Sequence, residues 1–327
     1  MRPARHDLVL VTGAGGFIGQ RLCALLQAEG IRVRALLRHP RPGPWDEALV
    51  GDLEQGQLPG KLCQNVHTVF HLAGKAHAVS DWGDAGGSHH RIHVDGTQKI
   101  LHLAMQEQVH GFVFFSSVKA LGEGGEIPLA ESREPAPTTP YGQAKLQAER
   151  AVLAAEGIAH RVILRPTMVY GPGGKGNLTR MVLAIDKGRF PPWPPGNNHR
   201  SMIHVDDVAE AALLSARHPA AHRQELTLAD GRAYATRQIY LWILHALGKP
   251  VPNWYVPMFV LAGLASIGDG IGRWRKKRFI FDHDALEKLA GSSLYDAQRS
   301  RHLLGFAPRR SLDASMEEIV RSIRSGT

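Results

Sequence analysis

Three side-chain types in a fixed order carry the chemistry of this chain. Ser117 closes an apolar run, Tyr141 follows 24 residues later, and Lys145 stands four residues beyond the tyrosine. On a helix that last spacing puts Tyr141 and Lys145 on one face, one turn apart. A phenol with an ordinary pKa of about 10 is a poor base at neutral pH. An ammonium one turn away favours the phenolate and can also hold a ribose hydroxyl. The Ser117 hydroxyl could bond a substrate oxygen and orient it. The set suits proton transfer to and from an alcohol or ketone oxygen, provided that something else carries a hydride.

The first twenty residues supply a seat for such a carrier. Leu8-Val9-Leu10-Val11 is a β-prone run that breaks into Thr12-Gly13-Ala14-Gly15-Gly16-Phe17-Ile18-Gly19, after which Leu22, Leu25 and Leu26 share a helical face. A buried strand, a glycine turn and a helix start present free backbone N–H groups and a helix dipole to a pyrophosphate. The glycines serve the tight turn, the approach of phosphate to backbone, and the packing of helix on strand. This is a dinucleotide site, with Gly13, Gly15, Gly16, Phe17, Ile18 and Gly19 at the cofactor.

The second strand, Ile31–Leu37, chooses between the two nicotinamide cofactors. An acidic residue at its end would bond the ribose 2′-hydroxyl. The strand instead runs into Arg38-His39-Pro40. Arg38 paired with a 2′-phosphate makes the cofactor NAD(P)(H), leaning to NADP(H); a merely solvated Arg38 is the alternative. Asp52 and Leu53, after a further strand, lie where the adenine is approached. Thr68–Gly74 is a buried strand closing on Leu72, Ala73 and Gly74, small enough for a cofactor to lie against the backbone. Lys75, directly after it, is placed on the substrate side.

Further strands at Gly111–Ser117 and His160–Leu164 alternate with helices beginning near His93 and at Tyr141, with Ser80–His90 as a loop between them. Such alternation predicts an α/β fold with a doubly wound parallel sheet. The expected division is residues 1–172 as a dinucleotide-binding domain, to which later segments return, and 173–327 mainly as a smaller mixed lobe. In that lobe, 209–216, 234–247 and 256–271 read as helical, with Trp254, Tyr255 and Trp274 packing it. The loop Gly188–Gly196, rich in proline and carrying Phe190 and Trp193, reads either as a cover for a base or sugar or as plain surface.

Composition is that of a globular protein, with 43% apolar and 21% charged residues in 327. Cys23 and Cys63 give no disulfide framework. The eighteen histidines include no HExxH or comparable ligand spacing, so no metal is expected. A formal charge of +9 asks for an anionic partner. No nucleic-acid-binding signature is present, so nucleic acid is not that partner. The N-terminus commits to a strand too early for a signal peptide, and the apolar stretch 256–268 is shorter than the ~20 residues of a spanning helix. The expected location is the cytoplasm. The run Arg273-Trp274-Arg275-Lys276-Lys277-Arg278 is the strongest basic cluster. It reads either as a solvated face or as a weak membrane-surface contact.

In order, the motifs are the glycine turn, His71-Leu72-Ala73-Gly74, Ser116-Ser117, Tyr141 to Lys145, Arg165-Pro166 with Tyr170-Gly171-Pro172, and Arg200 to Ala209. With them the chain resembles the extended short-chain dehydrogenase/reductase family, in its nucleotide-sugar epimerase and dehydratase group, over almost its whole length. The resemblance implies a Rossmann-like domain, a nucleotide-sugar substrate and a homodimer formed through two helices of the sheet domain. It also implies Pro166 at the cofactor, and Arg200 and Asn177 at the substrate diphosphate. Dehydratases of the group carry Asp-Glu directly after the hydroxyl residue, where this chain has Val118-Lys119, so dehydration is not expected. His93 replaces the asparagine of the group's Asn-Val-x-Gly-Thr. The segment 116–123 with Gly176-Asn177 is similar to bacterial UDP-N-acetylhexosamine C4 epimerases and 4-keto reductases. Lys119 reads either as a feature of that subgroup or as an ordinary surface residue.

Two activities follow from the resemblance. One is reduction of a 4-keto sugar by exchangeable NAD(P)H for surface-polysaccharide synthesis, towards which the missing acid and Arg38 lean. The other is C4 epimerisation with retained NAD. A non-catalytic NADP-binding regulator is a further alternative, against which the complete set Ser117, Tyr141 and Lys145 argues.

Overall fold

The computed structural model describes residues 7–54, 56–75, 87–275 and 281–326. The chain enters through β1 (Leu8–Thr12), continues through β2 (Arg32–Leu37), β3 (Glu47–Val50), β4 (Thr68–His71), β5 (Gly111–Phe115) and β6 (His160–Pro166), and visits β7 (Met168–Tyr170) and β8 (Arg200–His204) before β9 (Gln224–Leu228) and β10 (Ala233–Tyr234). Among the described residues a seven-stranded sheet runs β3-β2-β1-β4-β5-β6-β9, every pairing parallel. Its inner strands β1, β4, β5 and β6 are buried throughout and largely apolar because both faces are covered. The two-residue period still sorts them: Val9, Val11, Val113 and Phe115 enter one core, Leu8, Leu10, Phe112 and Phe114 the other.

Helix α1 (Phe17–Ala28) covers the first face. On the second face, α2 (Ser88–His90) runs through a π-helical turn, Arg91–Asp95, directly into α3 (Gly96–Gln106). The short α4 (Val118–Leu121) and then α5 (Pro140–Ala154) follow β5. Pro140 takes the first helical position of α5, and the Thr139 hydroxyl caps it by accepting from Gly142 N at 3.1 Å.

Past β7 the chain builds α6 (Asn177–Asp186) in the second lobe, then returns with α7 (Val205–Arg217) to pack beside α1 on the first face. The Arg21 guanidinium grips Asp206 at 2.7 Å across that junction. The second lobe is a mixed sheet, β10-β8-β7, with α8 (Thr236–Ala246), α9 (Met258–Arg275), α10 (His283–Ala290) and α12 (Leu312–Arg324) around it. Before α12, α11 (Gln298–Leu304) packs back against the sheet domain. No helix among the described residues is long and apolar enough to cross a membrane.

Three expectations change, and a fourth lies largely outside the described residues. Ser88–His90 is helical rather than loop, while 76–86 lie outside the described residues. Trp193 is 1% exposed and sits in the lobe core, its ring tilted against Phe190, so it is a core residue rather than an exposed cover. Trp254 and Tyr255 are half-exposed rather than buried in the lobe core. Position 274 is helical, and Lys276–Arg278 of the basic run lie outside the described residues. Cys23 and Cys63 are both buried, and desolvation pushes each thiol up to about 12.

Candidate active site at the carboxyl edge of the sheet

Strand order reverses between β1 and β4, and in open parallel sheets ligands bind at the carboxyl ends of such a pair. The two strand ends here nearly touch. A Cβ on Gly13 would fall 2.8 Å from Ala73 N, and Gly13 also has φ +70°, so the turn admits only glycine. The Gly16 amide closes the turn on Gly13 O at 2.9 Å. No side chain caps α1, whose opening N–H groups therefore remain for a ligand. This cradle fits a dinucleotide pyrophosphate, with Gly15, Phe17, Ile18 and Gly19 around it and Leu72, Ala73 and Gly74 opposite.

A directional chain of hydrogen bonds stiffens that edge. Ala73 N donates to Thr12 Oγ1 at 3.1 Å, and Thr12 Oγ1 lies 2.7 Å from His71 Nδ1. His71 Nε2 lies 3.1 Å from Thr97 Oγ1, whose own hydrogen goes to His93 O at 2.6 Å. Because that carbonyl can only accept, Thr97 accepts from Nε2–H, and His71 Nδ1 accepts from Thr12. The imidazole must be neutral, and burial with the nearby Lys145 charge pushes it down to about 3.

Tyr141 is buried, with the rings of His89 and His93 meeting it edge-on at 5.6 and 5.3 Å. The two histidines stack on each other at 5.8 Å. His93 donates from Nε2 to Lys75 O at 3.2 Å, which leaves Nδ1 buried without a hydrogen-bond partner among the described residues. Burial and Lys145 push His93 down to about 2, so it is neutral.

Lys145 is 4% exposed; its ammonium donates to Phe115 O at 2.7 Å and lies 4.8 Å from the centre of the Phe114 ring. Burial lowers its pKa to about 8, partly offset by the Glu149 carboxylate one turn on. Glu149 accepts from Arg165 Nε at 3.0 Å, and Arg165 also meets Glu225 at 3.0 Å. A buried row of charges thus runs from the site to β6 and β9. Ser117 is half-buried and caps α4, accepting from Lys119 N at 3.2 Å. A Cβ on Gly142 would fall 2.4 Å from Lys119 O, so the glycine lets α5 close on α4 and brings Tyr141 to the edge that bears Ser117. Lys119 itself is partly buried and pairs with Glu123.

The other expected residues are placed as follows. Arg38 is exposed just beyond β2, while Arg41 reaches the glycine turn, donating to Gly15 O at 3.1 Å. Asp52 accepts from Glu54 N at 2.8 Å and Leu53 is buried beside it. Pro166 ends β6 opposite Leu228. Lys75 donates to Ser88 Oγ at 3.1 Å. Asn177 is exposed at the start of α6. Arg200 begins β8 with its guanidinium committed to Gly291 O at 2.8 Å, its Nε buried and without a hydrogen-bond partner among the described residues, and its pKa lowered by burial. The sheet edge therefore gathers residues 13–19, 72–75, 117, 141 and 145, and leaves Asn177 and Arg200 on the second lobe. Arg41, His89 and the pairing of Arg165, itself part of a motif, with Glu149 and Glu225 escape sequence reading. Glu149 alone had a signal, four residues beyond Lys145 on the same helical face.

Known proteins resemble this chain in sequence and fold. The model of the NAD dependent epimerase/dehydratase family matches residues 9–229. The UDP-glucose 4-epimerase of Vibrio cholerae is 28% identical, covering 95% of this chain and 93% of its own. A 4-hydroxy-2-methyl-3-oxo-4-farnesyl-3,4-dihydroquinoline-1-oxide ketoreductase of Stigmatella aurantiaca is 29% identical, covering 81% of this chain and 80% of its own. Among solved structures, MoeE5 in complex with UDP-glucuronic acid and NAD superposes with a TM-score of 0.77 at 26% identity, covering 98% of this chain and 100% of that one. With more than half of its length matched, the chain belongs to the NAD dependent epimerase/dehydratase family.

Proposed function

We propose that the chain is a C4 epimerase of a UDP-linked hexose or N-acetylhexosamine, working as a cytoplasmic homodimer with retained NAD. The observation that carries this reading is Tyr141 held on one helical face with a buried, cationic Lys145 at the edge that also carries the glycine cradle. The V. cholerae relative, matched nearly end to end, supports the choice of epimerisation. Held at the cradle of Gly13, Gly15, Gly16 and Gly19, a nicotinamide dinucleotide would supply the acceptor and donor of hydride for sugar C4.

The residues of the chain do the rest. The Tyr141 phenolate takes the proton of the C4 hydroxyl and later gives it back to the oxygen of the 4-ketone. The Lys145 ammonium stabilises the phenolate, and the low-dielectric wall of Phe114 and the two histidines strengthens that interaction. Ser117 bonds the same sugar oxygen. Lys75, Asn177 and Arg200 serve the sugar and diphosphate.

A second reading, reduction of a 4-keto sugar by exchangeable NADPH, is favoured by the cations Arg38 and Arg41 after β2, where no carboxylate stands. Mass spectrometry of small molecules released on denaturing freshly purified protein separates the two. Stoichiometric NAD is expected for the epimerase, followed by equilibration of UDP-glucose or UDP-N-acetylglucosamine with its C4 epimer. An empty protein that binds NADPH and reduces a 4-keto sugar would establish the reductase instead.

A further inference from the structure

We propose that the outer face of α9 docks on the surface of an anionic lipid bilayer. The helix is apolar on two sides. Leu261, Ala265, Gly268 and Gly272 face the lobe and are buried. Away from the lobe Phe259 is 77% exposed and Ile267 61%, with Leu264, 49% exposed, on the flank. An ordinary surface helix turns charged residues to that side. Here the acid within α9 is Asp269, which accepts from His283 on the flank. Trp254, 59% exposed just before the helix, extends the apolar patch.

Charge selects the partner. The sequence from Arg273 to Arg278 holds five cations, and no acid occurs from 270 to 281. An exposed apolar stripe, interfacial aromatics and a block of Lys and Arg are the combination that lies in a bilayer surface carrying anionic headgroups. A second copy of this chain is a poorer match. Residues 249–268, which would face the basic run in an antiparallel pair of such helices, carry no carboxylate. The surface is distinct from the crevice at the sheet edge and holds whatever sugar chemistry occurs there.

The test is co-sedimentation of the full-length protein with vesicles of phosphatidylcholine alone or mixed with phosphatidylglycerol. The protein is expected to pellet with the mixed vesicles only, to be released by raised salt, and to show a blue-shifted tryptophan emission when bound. Replacing Phe259 and Ile267 together by Ser should lower the apparent partition at least about tenfold, with an unchanged melting temperature. Arg273→Gln with Arg275→Gln should weaken binding and its salt dependence. Absence of binding to either vesicle overturns the proposal. So does vesicle binding that both variants leave intact, or a concentration-dependent dimer, without vesicle binding, that the Ser variant dissolves.

Discussion

At the carboxyl edge of the large sheet, polarity is buried as charge. Lys145, Glu149 and Arg165 stand almost fully enclosed, each bonded to the next or to a backbone carbonyl. In the second lobe the buried polar groups lean on neutral partners. Asp230 accepts from Tyr234 at 2.6 Å and from Tyr170 at 3.2 Å. The Asn198 amide donates to Thr236 at 2.9 Å and to Leu289 O at 3.0 Å. Buried charges keep strong fields in a small volume, which suits a site that moves protons, but they are costly when one partner is removed. Networks closed by hydroxyl, amide and carbonyl partners fix shape at less risk.

The largest test of this contrast is Tyr141→Phe. Turnover should fall about a thousandfold while dinucleotide affinity, measured by titration calorimetry, stays within about twofold. Near-normal turnover would remove the phenol from the chemistry. Next comes Glu149→Gln, which leaves Arg165 buried with half its partners. A loss of about 3–5 kcal/mol in urea unfolding is expected. Tyr234→Phe in the lobe should cost only about 1–3 kcal/mol. Equal losses would erase the distinction.

The buried histidines sharpen it further. His71 and His93 stay neutral in the fold, with pKa values of about 3 and 2, while the unfolded chain takes up their protons below about 6.5. The unfolded state then binds more protons, so stability falls as pH drops through and below 6.5. Each group contributes about 1.4 kcal/mol per pH unit. A His93→Asn variant should flatten the fall in melting temperature between pH 7 and 5, and an unchanged slope would argue against a neutral buried His93. The smallest effect concerns Arg38→Asp, which should weaken NADPH binding about tenfold more than NADH binding. Equal weakening would leave the phosphate contact to Arg41.

The sheet domain was legible because its signals are local. Thr12 to Gly19, the small residues after Phe70, and Tyr141 to Lys145 each state their geometry within a few positions. The lobe was less so. Trp193 looked like a surface aromatic among prolines, yet it fills a core made by helices far away in sequence. The Asp206 and Asp207 pair lies in a recognisable motif, but its partners Arg21 and Arg310 come from opposite ends of the chain. Arg41 reached Gly15 only because a loop folds back across 26 residues. Periodicity cannot report such pairings.

The pairing of β9 with β6 has a consequence for how the protein is made. The sheet reaches Pro166, leaves for residues 167–223, and is completed only when Gln224–Leu228 arrives. A ribosome adding about 5–20 residues per second leaves the β6 edge bare for several seconds. Throughout that interval Glu149 is the carboxylate already available to Arg165, because Glu225 comes with the late strand. The same ion pair that underlies the site thus guards a half-built sheet, and weakening it should reduce the yield of newly synthesised protein before it affects the finished enzyme.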